Sequence, residues 1–222
     1  MTARRGAAGQ PTTRTARARG TVARGAVARG AGVNGTVARG TGATGTVARG
    51  TRNGRWAMPR IGVTGHVTLA VGTADLVYAC LAEQLKLYAG PELHGVTCLA
   101  DGADQLFARA ILALSGTYEV VLPAVDYRSR AVQRHNLDSF DELLSGASGV
   151  TYMPFAHSGR EAYMAASREL LRRCDQLLAV WDGTPSTRLG DTADVVRTAR
   201  ASGVPVTVLW PAGATRLAPP PG

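Results

Sequence analysis

Six short apolar runs recur along residues 60–210, and each has the length of a single β-strand. Most of them place apolar residues on both faces, which is typical of a parallel sheet covered by helices on each side. The predicted strands are Arg60–Thr64, Gly95–Ala100, Tyr118–Pro123, Val150–Phe155, Gln176–Trp181 and Pro205–Trp210.

Segments with a helical spacing of apolar residues separate these runs. The predicted helices are Ala74–Ala89 with Thr73 as its N-cap, Ala103–Leu114, a helix opened by the capping box Ser158–Glu161 and ending near Cys174, and Thr192–Ala201. Residues 126–149 are expected to be irregular, with a helix only over Ser139–Leu144. Strand and helix in alternation predict an α/β fold, a Rossmann-like, doubly wound and mainly parallel sheet.

The beginning of the chain has a different composition. Residues 1–59 contain 11 arginines and no acidic residue, so the formal net charge of +9 comes from this segment. Glycine recurs at every fifth position from Gly20 to Gly50, which matches neither helix nor strand, and apolar side chains are few. We predict a disordered Arg/Gly-rich tail over 1–57, a Rossmann-like domain over 58–214 and a flexible tail over 215–222.

Three interpretations of the first tail compete. An Arg/Gly tract could bind RNA or DNA electrostatically. An acid-free, Arg-rich segment could be a transit peptide, although the spaced glycines break the amphipathic helix that such peptides form. We favour the third, in which the repeat is a translated DNA repeat and the functional protein begins at Met58.

The other compositional features exclude several classes of protein. No apolar run reaches the ~18 residues of a membrane span, and none lies near Met1 as in a secretory signal, so we expect a cytoplasmic protein without membrane contact. Cys80, Cys98 and Cys174 each lie in an apolar pattern, which indicates buried reduced thiols. No Cys/His spacing resembles a zinc site, and we expect neither metal nor cofactor.

The candidate site residues follow the predicted strands, because ligands of open α/β sheets bind beyond the carboxyl ends of the strands. Glycines that permit close backbone approach, hydroxyls and carboxylates occur at four such positions. The candidates are Gly62, Thr64, Gly65 and His66, then Asp101, Gly102 and Ala103, then Asp182 and Gly183, and finally Gly190, Asp191 and Thr192. Each group also has a purely structural interpretation as a tight turn or a helix cap.

The charges of these residues suggest the kind of ligand. Carboxylates at Asp182, Asp191 and Asp194 would repel a bare phosphate but suit ribose hydroxyls or the edge of a base. Gly102 would leave room for a ligand over the N-terminus of the second helix. We therefore expect a nucleotide-derived small molecule rather than free phosphate.

The same motifs resemble the SLOG group of Rossmann-like domains, related to the lonely-guy phosphoribohydrolases and to the DNA-processing protein A fold. The resemblance covers about Arg60 to Pro211 and rests on Gly-Val-Thr-Gly-His, Leu-Ala-Asp-Gly-Ala-Asp, Ala-Val-Trp-Asp-Gly and Gly-Asp-Thr-Ala-Asp-Val-Val. It implies a nucleotide-binding Rossmann-like fold.

The catalytic motif of the phosphoribohydrolases is altered in this chain. That motif reads Pro-Gly-Gly-x-Gly-Thr-x-x-Glu, whereas Asp194 here lies two residues after Thr192 and Trp181-Asp182-Gly183 replaces the first three positions. Arg168 does not occupy the place of the family's catalytic arginine, which is nearer Ala166. The resemblance therefore carries over the fold and not the catalytic pair.

Three functions remain as hypotheses. The leading one is binding of a nucleotide or nucleoside derivative, by a sensor or by an enzyme of unassigned activity. The second is hydrolysis of an N-glycosidic bond, with Asp194 as the candidate acid. The third is nucleic-acid binding, which the acidic balance of residues 60–222 disfavours for the domain itself. The sequence leaves the oligomeric state open, a homo-oligomer included.

Overall fold

The centre of the molecule is a six-stranded sheet in which every neighbouring pair of strands is parallel. The computed structural model describes residues 51–52, 55–56, 59–186 and 188–217. After a short antiparallel ladder of β1 (Thr51–Arg52) and β2 (Arg55–Trp56), the sheet contains β3 (Arg60–Gly65), β4 (His94–Thr97), β5 (Thr117–Leu122), β6 (Gly149–Tyr152), β7 (Gln176–Val180) and β8 (Val206–Leu209). Their order in the sheet is β6-β5-β4-β3-β7-β8, which confirms the predicted α/β fold.

The chain reverses its progress across the sheet at β3. Strands β3 to β6 follow one another outward on one side, and β7 then pairs with the other side of β3, from Ile61–Gln176 to Gly65–Val180. The connections that leave β3 and β7 therefore run in opposite directions. This topological switch opens a crevice beyond the carboxyl ends of these two strands.

Two helical layers cover the sheet. The helices are α1 (Thr73–Lys86), α2 (Ala103–Ala113), α3 (Tyr127–Arg130), α4 (Leu137–Ser145), α5 (Arg160–Arg173) and α6 (Thr192–Ala201). Helices α1, α2 and α4 share one apolar cluster with Ile61 and Val63 of β3. Helices α5 and α6 pack with Val96, Val121 and Leu177 on the opposite face. Burial of both faces explains why the strands are apolar without a polar alternation.

Two predicted helix starts are wrong. The N-cap of α1 is Gly72, with φ of 78°, and the Thr73 hydroxyl instead accepts a hydrogen bond from Thr215 N at 3.0 Å. The capping box before α5 does not form, because the N–H and the hydroxyl of Ser158 both donate to Asp126 Oδ1, at 2.7 and 2.8 Å. In both cases a partner distant in the sequence takes the polar group that would otherwise cap the helix.

Residues 126–149 are more regular than the sequence predicts. They contain α3, a 3-10 turn over Arg134–Asn136 and the full length of α4. Tyr127, Phe140 and Leu143 anchor this segment in the core beside α2. The predicted helix over Ser139–Leu144 is the centre of α4, whereas the charged residues hid α3 and the ends of α4 from the periodicity.

Most of the predicted disordered tail, and the proposed start at Met58, lie outside the described residues. At the other end, Thr215–Leu217, assigned to a flexible tail by the sequence, make defined contacts. Ala70 N donates to Thr215 O at 3.0 Å, and Leu217 N donates to Thr68 O at 3.3 Å. Within the described part of the chain, no helix combines the length and the apolar character that crossing a bilayer requires.

Candidate functional site

A cavity of about 1030 Å³ lies at the carboxyl edge of the sheet, where the topological switch predicts a site. Residues from the ends of β3 and β4, from α2 and α5, from the segment 131–139 and from the first turn of α6 line it. Several predicted site residues are among them, namely Thr64, Gly65, His66, Asp101, Gly102, Gly190, Asp191 and Thr192. The fold thus brings residues of three strand exits to one cavity.

The other predicted site residues lie behind or beside this cavity. Gly62 faces α5, where a Cβ atom would come within 2.8 Å of Cys174 Sγ, so this glycine permits close packing of a helix on the central strand. Ala103 is buried at the start of α2. Asp182 and Gly183 follow β7 and are not among the lining residues. Asp194, the candidate acid, does not line the cavity either.

Two of the lining glycines are required for backbone packing. A Cβ atom on Gly65 would lie 2.4 Å from Ala103 Cβ and 2.8 Å from Val180 Cβ. Gly102 has φ of 73°, and its Cβ position is 2.6 Å from the carbonyl oxygen of His66 and 2.5 Å from that of Val67. A side chain at Gly102 would therefore collide with the backbone of the loop after β3, although Gly102 itself lines the cavity.

A charged cluster fixes that loop. Asp182 Oδ2 accepts a hydrogen bond from Arg216 Nε at 2.6 Å, and Oδ1 accepts one from Thr184 N at 2.9 Å and lies 3.1 Å from His66 Nε2. Burial would raise the pKa of Asp182, but the hydrogen bonds from Thr184, Arg216 and His66 outweigh it and hold the pKa well below its usual range. Asp182 is thus a permanent carboxylate that ties β7 to the β3 loop.

His66 is the aromatic member of this cluster. Its ring meets Trp210 edge to face, with centroids 5.4 Å apart. Burial lowers the pKa of His66, although Asp182 acts in the opposite direction. Nε2 lies 3.3 Å from the backbone nitrogen of Asp182 and 3.1 Å from its Oδ1. The lowered pKa favours the neutral ring over the imidazolium in the cavity wall.

The exit of β4 is organised by Asp104, which is not among the candidate site residues of the sequence analysis. Thr97 Oγ1 and Cys98 N donate to its Oδ2 at 3.2 and 3.1 Å, and the loop passes through a left-handed residue, Leu99, with φ of 57°. Burial raises the pKa of Asp104 to about 7 despite these hydrogen bonds. Asp101 does not cap α2, since its Oδ1 accepts from the adjacent Gly102 N and the N-cap position is Gly102.

Carboxylates of Asp191 and Asp194 accept the backbone hydrogen bonds at the start of α6. Asp191 is the N-cap, and its Oδ1 accepts from Asp194 N at 2.9 Å. Asp194 Oδ2 in turn accepts from Gly190 N at 2.9 Å, while Oδ1 pairs with Arg197. Thr192, the alternative N-cap by sequence, is the first helical residue and lines the cavity. Asp194 is thereby committed to helix capping and to an ion pair.

A polar group that the sequence analysis missed lines the α2 side of the cavity. Gln105 is 5% exposed and Asn136 is 7% exposed, and both line the cavity together with Arg109 and Ser139. Arg109 Nη2 donates to Ser139 Oγ at 2.8 Å, and Ser139 Oγ donates to Gln105 Oε1 at 3.1 Å. A glutamine on the buried face of an otherwise apolar helix was the signal available in the sequence.

The three cysteines are unpaired and their thiols are protonated at neutral pH or shifted in that direction by burial. Cys80, Cys98 and Cys174 are free thiols. Burial raises the pKa of Cys98 well above its usual value and that of Cys174 to about 12, so neither is a thiolate at neutral pH. No cluster of three or more His, Cys, Asp or Glu side chains is arranged to hold a metal ion among these residues.

No family model matches the chain, and no curated protein sequence matches it. Solved structures with a similar fold include DNA processing protein A of Streptococcus pneumoniae, with a TM-score of 0.51 and 19% identity over 68% of this chain and 50% of that one. DNA processing protein A of Helicobacter pylori has a TM-score of 0.52 and 13% identity, over 72% of this chain and 69% of that one. A molybdenum cofactor binding protein of Rippkaea orientalis has a TM-score of 0.47 and 16% identity, over 70% of this chain and 78% of that one.

This chain therefore spans half the length of the S. pneumoniae protein. The similarity to the two DNA processing proteins confirms the predicted Rossmann-like fold, and at these identities it extends to the fold alone.

Proposed function

We propose that the cavity at the carboxyl edge of the sheet binds a nucleotide or a nucleoside-derived ligand. The observation that carries this proposal is the convergence of the β3, β4 and β7–α6 exits on one cavity at the topological switch, where open α/β sheets bind their ligands. Its volume of about 1030 Å³ is at the upper end of the ~300–1,000 Å³ typical of small-molecule sites. A nucleoside monophosphate is well within this size.

The distribution of polar groups supports the same class of ligand. At the α6 side, the Asp191 carboxylate and the Thr192 hydroxyl are suited to ribose hydroxyls or to the amino edge of a base. Between the polar ends, Val63, Leu99 and Leu170 form an apolar wall of the kind that packs against a flat ring. A ligand with a planar ring and a hydroxylated sugar matches both the apolar wall and the polar α6 side of the cavity.

Binding without hydrolysis of an N-glycosidic bond is favoured by the state of the candidate acid. Asp194 accepts a hydrogen bond from Gly190 N, pairs with Arg197 and lies outside the cavity lining. Ala166, the residue nearest the place of the family's catalytic arginine, lines the cavity without any charge. Charge development on a ribosyl cation would therefore lack the acid and the arginine that the resemblance suggested.

The experiment uses the full chain. Thermal melts with AMP, GMP, CMP and UMP, and with the four nucleosides, should show a rise in melting temperature for at least one of them, because binding to the folded state stabilises it by mass action. Mass spectrometry of the denatured protein as purified should detect a co-purified nucleotide or nucleoside derivative. No shift with any of the eight compounds and no such co-purified molecule would disprove the proposal.

A matched pair of variants tests the location. Ser167 lines the cavity and its hydroxyl donates to Tyr163 O, so Ser167→Phe should fill the cavity and abolish the shift. Ser145 is exposed at the end of α4 and its hydroxyl donates to Glu142 O in the same way, so Ser145→Phe should leave the shift intact. Binding that persists in a folded Ser167→Phe protein would mean that the ligand occupies another place.

Nucleic-acid binding is tested in parallel, since one protein of similar fold is described with a single-stranded DNA binding mode. Residues 60–222 carry all 16 acidic residues of the chain, which opposes phosphate binding along the domain surface. Anisotropy of a labelled single-stranded oligonucleotide should therefore show no binding by the domain at about 0.15 M salt. Tight binding at that salt would favour the nucleic-acid hypothesis.

A further inference from the structure

The buried amide of Gln105 has one end satisfied and the other end free. Its Oε1 accepts a hydrogen bond from Ser139 Oγ at 3.1 Å, whereas Nε2 has no partner among the described residues. Buried polar groups without a partner are rare, because each costs the full desolvation of the group. An unpaired donor on a residue that lines a cavity points to a ligand that supplies the acceptor.

The orientation of this amide is fixed by its neighbours. Arg109 Nη2 donates to Ser139 Oγ at 2.8 Å, so the single hydroxyl hydrogen of Ser139 is directed to Gln105. In this arrangement Gln105 Oε1 accepts the hydroxyl hydrogen of Ser139, which leaves both hydrogens of Nε2 available. In the opposite orientation Nε2 would donate to Ser139 Oγ, and Oε1 would lose this partner.

The charges around Gln105 select an anionic acceptor. Arg109 is the one arginine or lysine among the described residues that line the cavity. Asn136 adds a second amide, which is nearly buried and makes no side-chain hydrogen bond to any described residue. The opposite side of the cavity, at α6, presents the Asp191 carboxylate. Asp101 and Asp104 also line the cavity, at the start of α2. A negatively charged oxygen group is thus favoured beside Gln105 and Arg109, and disfavoured at the start of α2 and beside α6.

We propose that Gln105 and Arg109 receive the phosphate of a bound nucleotide, with the sugar and base directed toward α6. This inference rests on the proposed function and adds the orientation of the ligand to it. The guanidinium supplies charge and Gln105 Nε2 supplies donors held in place by Ser139. The ligand class is therefore a nucleoside monophosphate rather than a free nucleoside.

The test compares each nucleotide with its own nucleoside by titration calorimetry, using AMP with adenosine and GMP with guanosine on the full chain. The wild-type protein should bind the nucleotide more tightly. Arg109→Gln and Gln105→Met should each weaken nucleotide binding by about 10- to 100-fold, the range for hydrogen bonds to charged groups, and leave nucleoside binding unchanged. Arg128→Gln makes the same change of charge in a residue outside the cavity lining and should alter neither affinity.

Folding of the variants is checked by thermal melts. Gln105→Met keeps the volume and removes an unpaired buried donor, but it also removes the acceptor of the Ser139 hydroxyl, which keeps its hydrogen bond from Arg109. Its melting temperature should therefore fall only slightly, and this variant decides the question alone if Arg109→Gln unfolds. An equal loss for nucleotide and nucleoside, or no loss for either, would overturn this inference while the proposed function stands. If none of these four compounds binds, CMP with cytidine and UMP with uridine take their place in the same comparison. Absence of binding by all eight compounds, with no co-purified nucleotide or nucleoside derivative, would overturn both.

Discussion

Replacement of Asp104 by asparagine should change how the stability of the protein depends on pH. The carboxyl group is 5% exposed, and its burial raises the pKa to about 7 although Thr97 and Cys98 donate to it. An asparagine amide presents a donor where the protonated acid presents its hydroxyl, so Asp104→Asn imitates the neutral form at every pH. The wild-type protein, in contrast, must ionise this buried group as the pH rises.

The sign and size of the effect follow from the two pKa values. Between the ordinary value of 3.8 and about 7, the folded state keeps the proton that the unfolded state has released. The free energy of unfolding therefore falls as pH rises through this window, by about 1.4 kcal/mol for each unit. Over the whole window the wild-type protein loses about 4 kcal/mol relative to Asp104→Asn.

The assay is urea unfolding of both proteins, followed by tryptophan fluorescence, at several values from about pH 4 to about pH 8. The quantity of interest is the difference in unfolding free energy between the two proteins, because His66 and His94 titrate in both and cancel. This difference should shift steadily in favour of the variant as pH rises. A difference that is constant, or that shifts toward the wild-type protein, would refute the argument from burial.

Three further predictions concern the frame of the cavity. Gly65→Ala should destabilise the fold by about 1–3 kcal/mol in urea unfolding, because the new methyl group overlaps Ala103 and Val180. The control Gly149→Ala has open space around the new methyl group and should change stability by less than about 0.5 kcal/mol. Arg216→Met should raise the pKa of Asp182, because the substitution removes a hydrogen bond that stabilises the carboxylate. NMR titration measures this pKa, and an unchanged value would contradict the prediction. Asp194→Ala should cost about 1–2 kcal/mol as a lost helix cap, and a neutral result would argue against the capping role.

The parts of the fold that repeat a strong pattern were predictable from the sequence. Helix α6 begins and ends at the predicted residues, because its apolar face is regular and Gly203 follows its end. In the α3–α4 region only the centre of α4, over Ser139–Leu144, was predictable, since the core contacts there depend on three isolated aromatic or aliphatic residues between charged ones. Helix caps were also missed where a polar side chain finds a partner far along the chain, as Ser158 does with Asp126.

The location of the site was predictable for a different reason. Ligands of doubly wound sheets occupy the switch point, so the residues at the strand exits could be chosen before their geometry was known. The group of Gln105, Arg109 and Ser139 could not be chosen in this way, because Ser139 is 34 and 30 residues away from its two partners and no local pattern joins them. The packing roles of Gly62 and Gly102 likewise depend on contacts with distant backbone and side chains.

The long-range hydrogen bonds that hold the loop after β3 also determine when the cavity forms during folding. The hydrogen bond from Asp182 N to His66 spans 116 residues, and that from Thr215 N to Thr73 spans 142. Contacts at such sequence separations form late, since the entropy of closing the intervening loops must be overcome first. Strands β3 to β6 can assemble consecutively before β7 inserts beside β3. We therefore expect the cavity to close last, so that a ligand held there slows unfolding and leaves the folding rate unchanged.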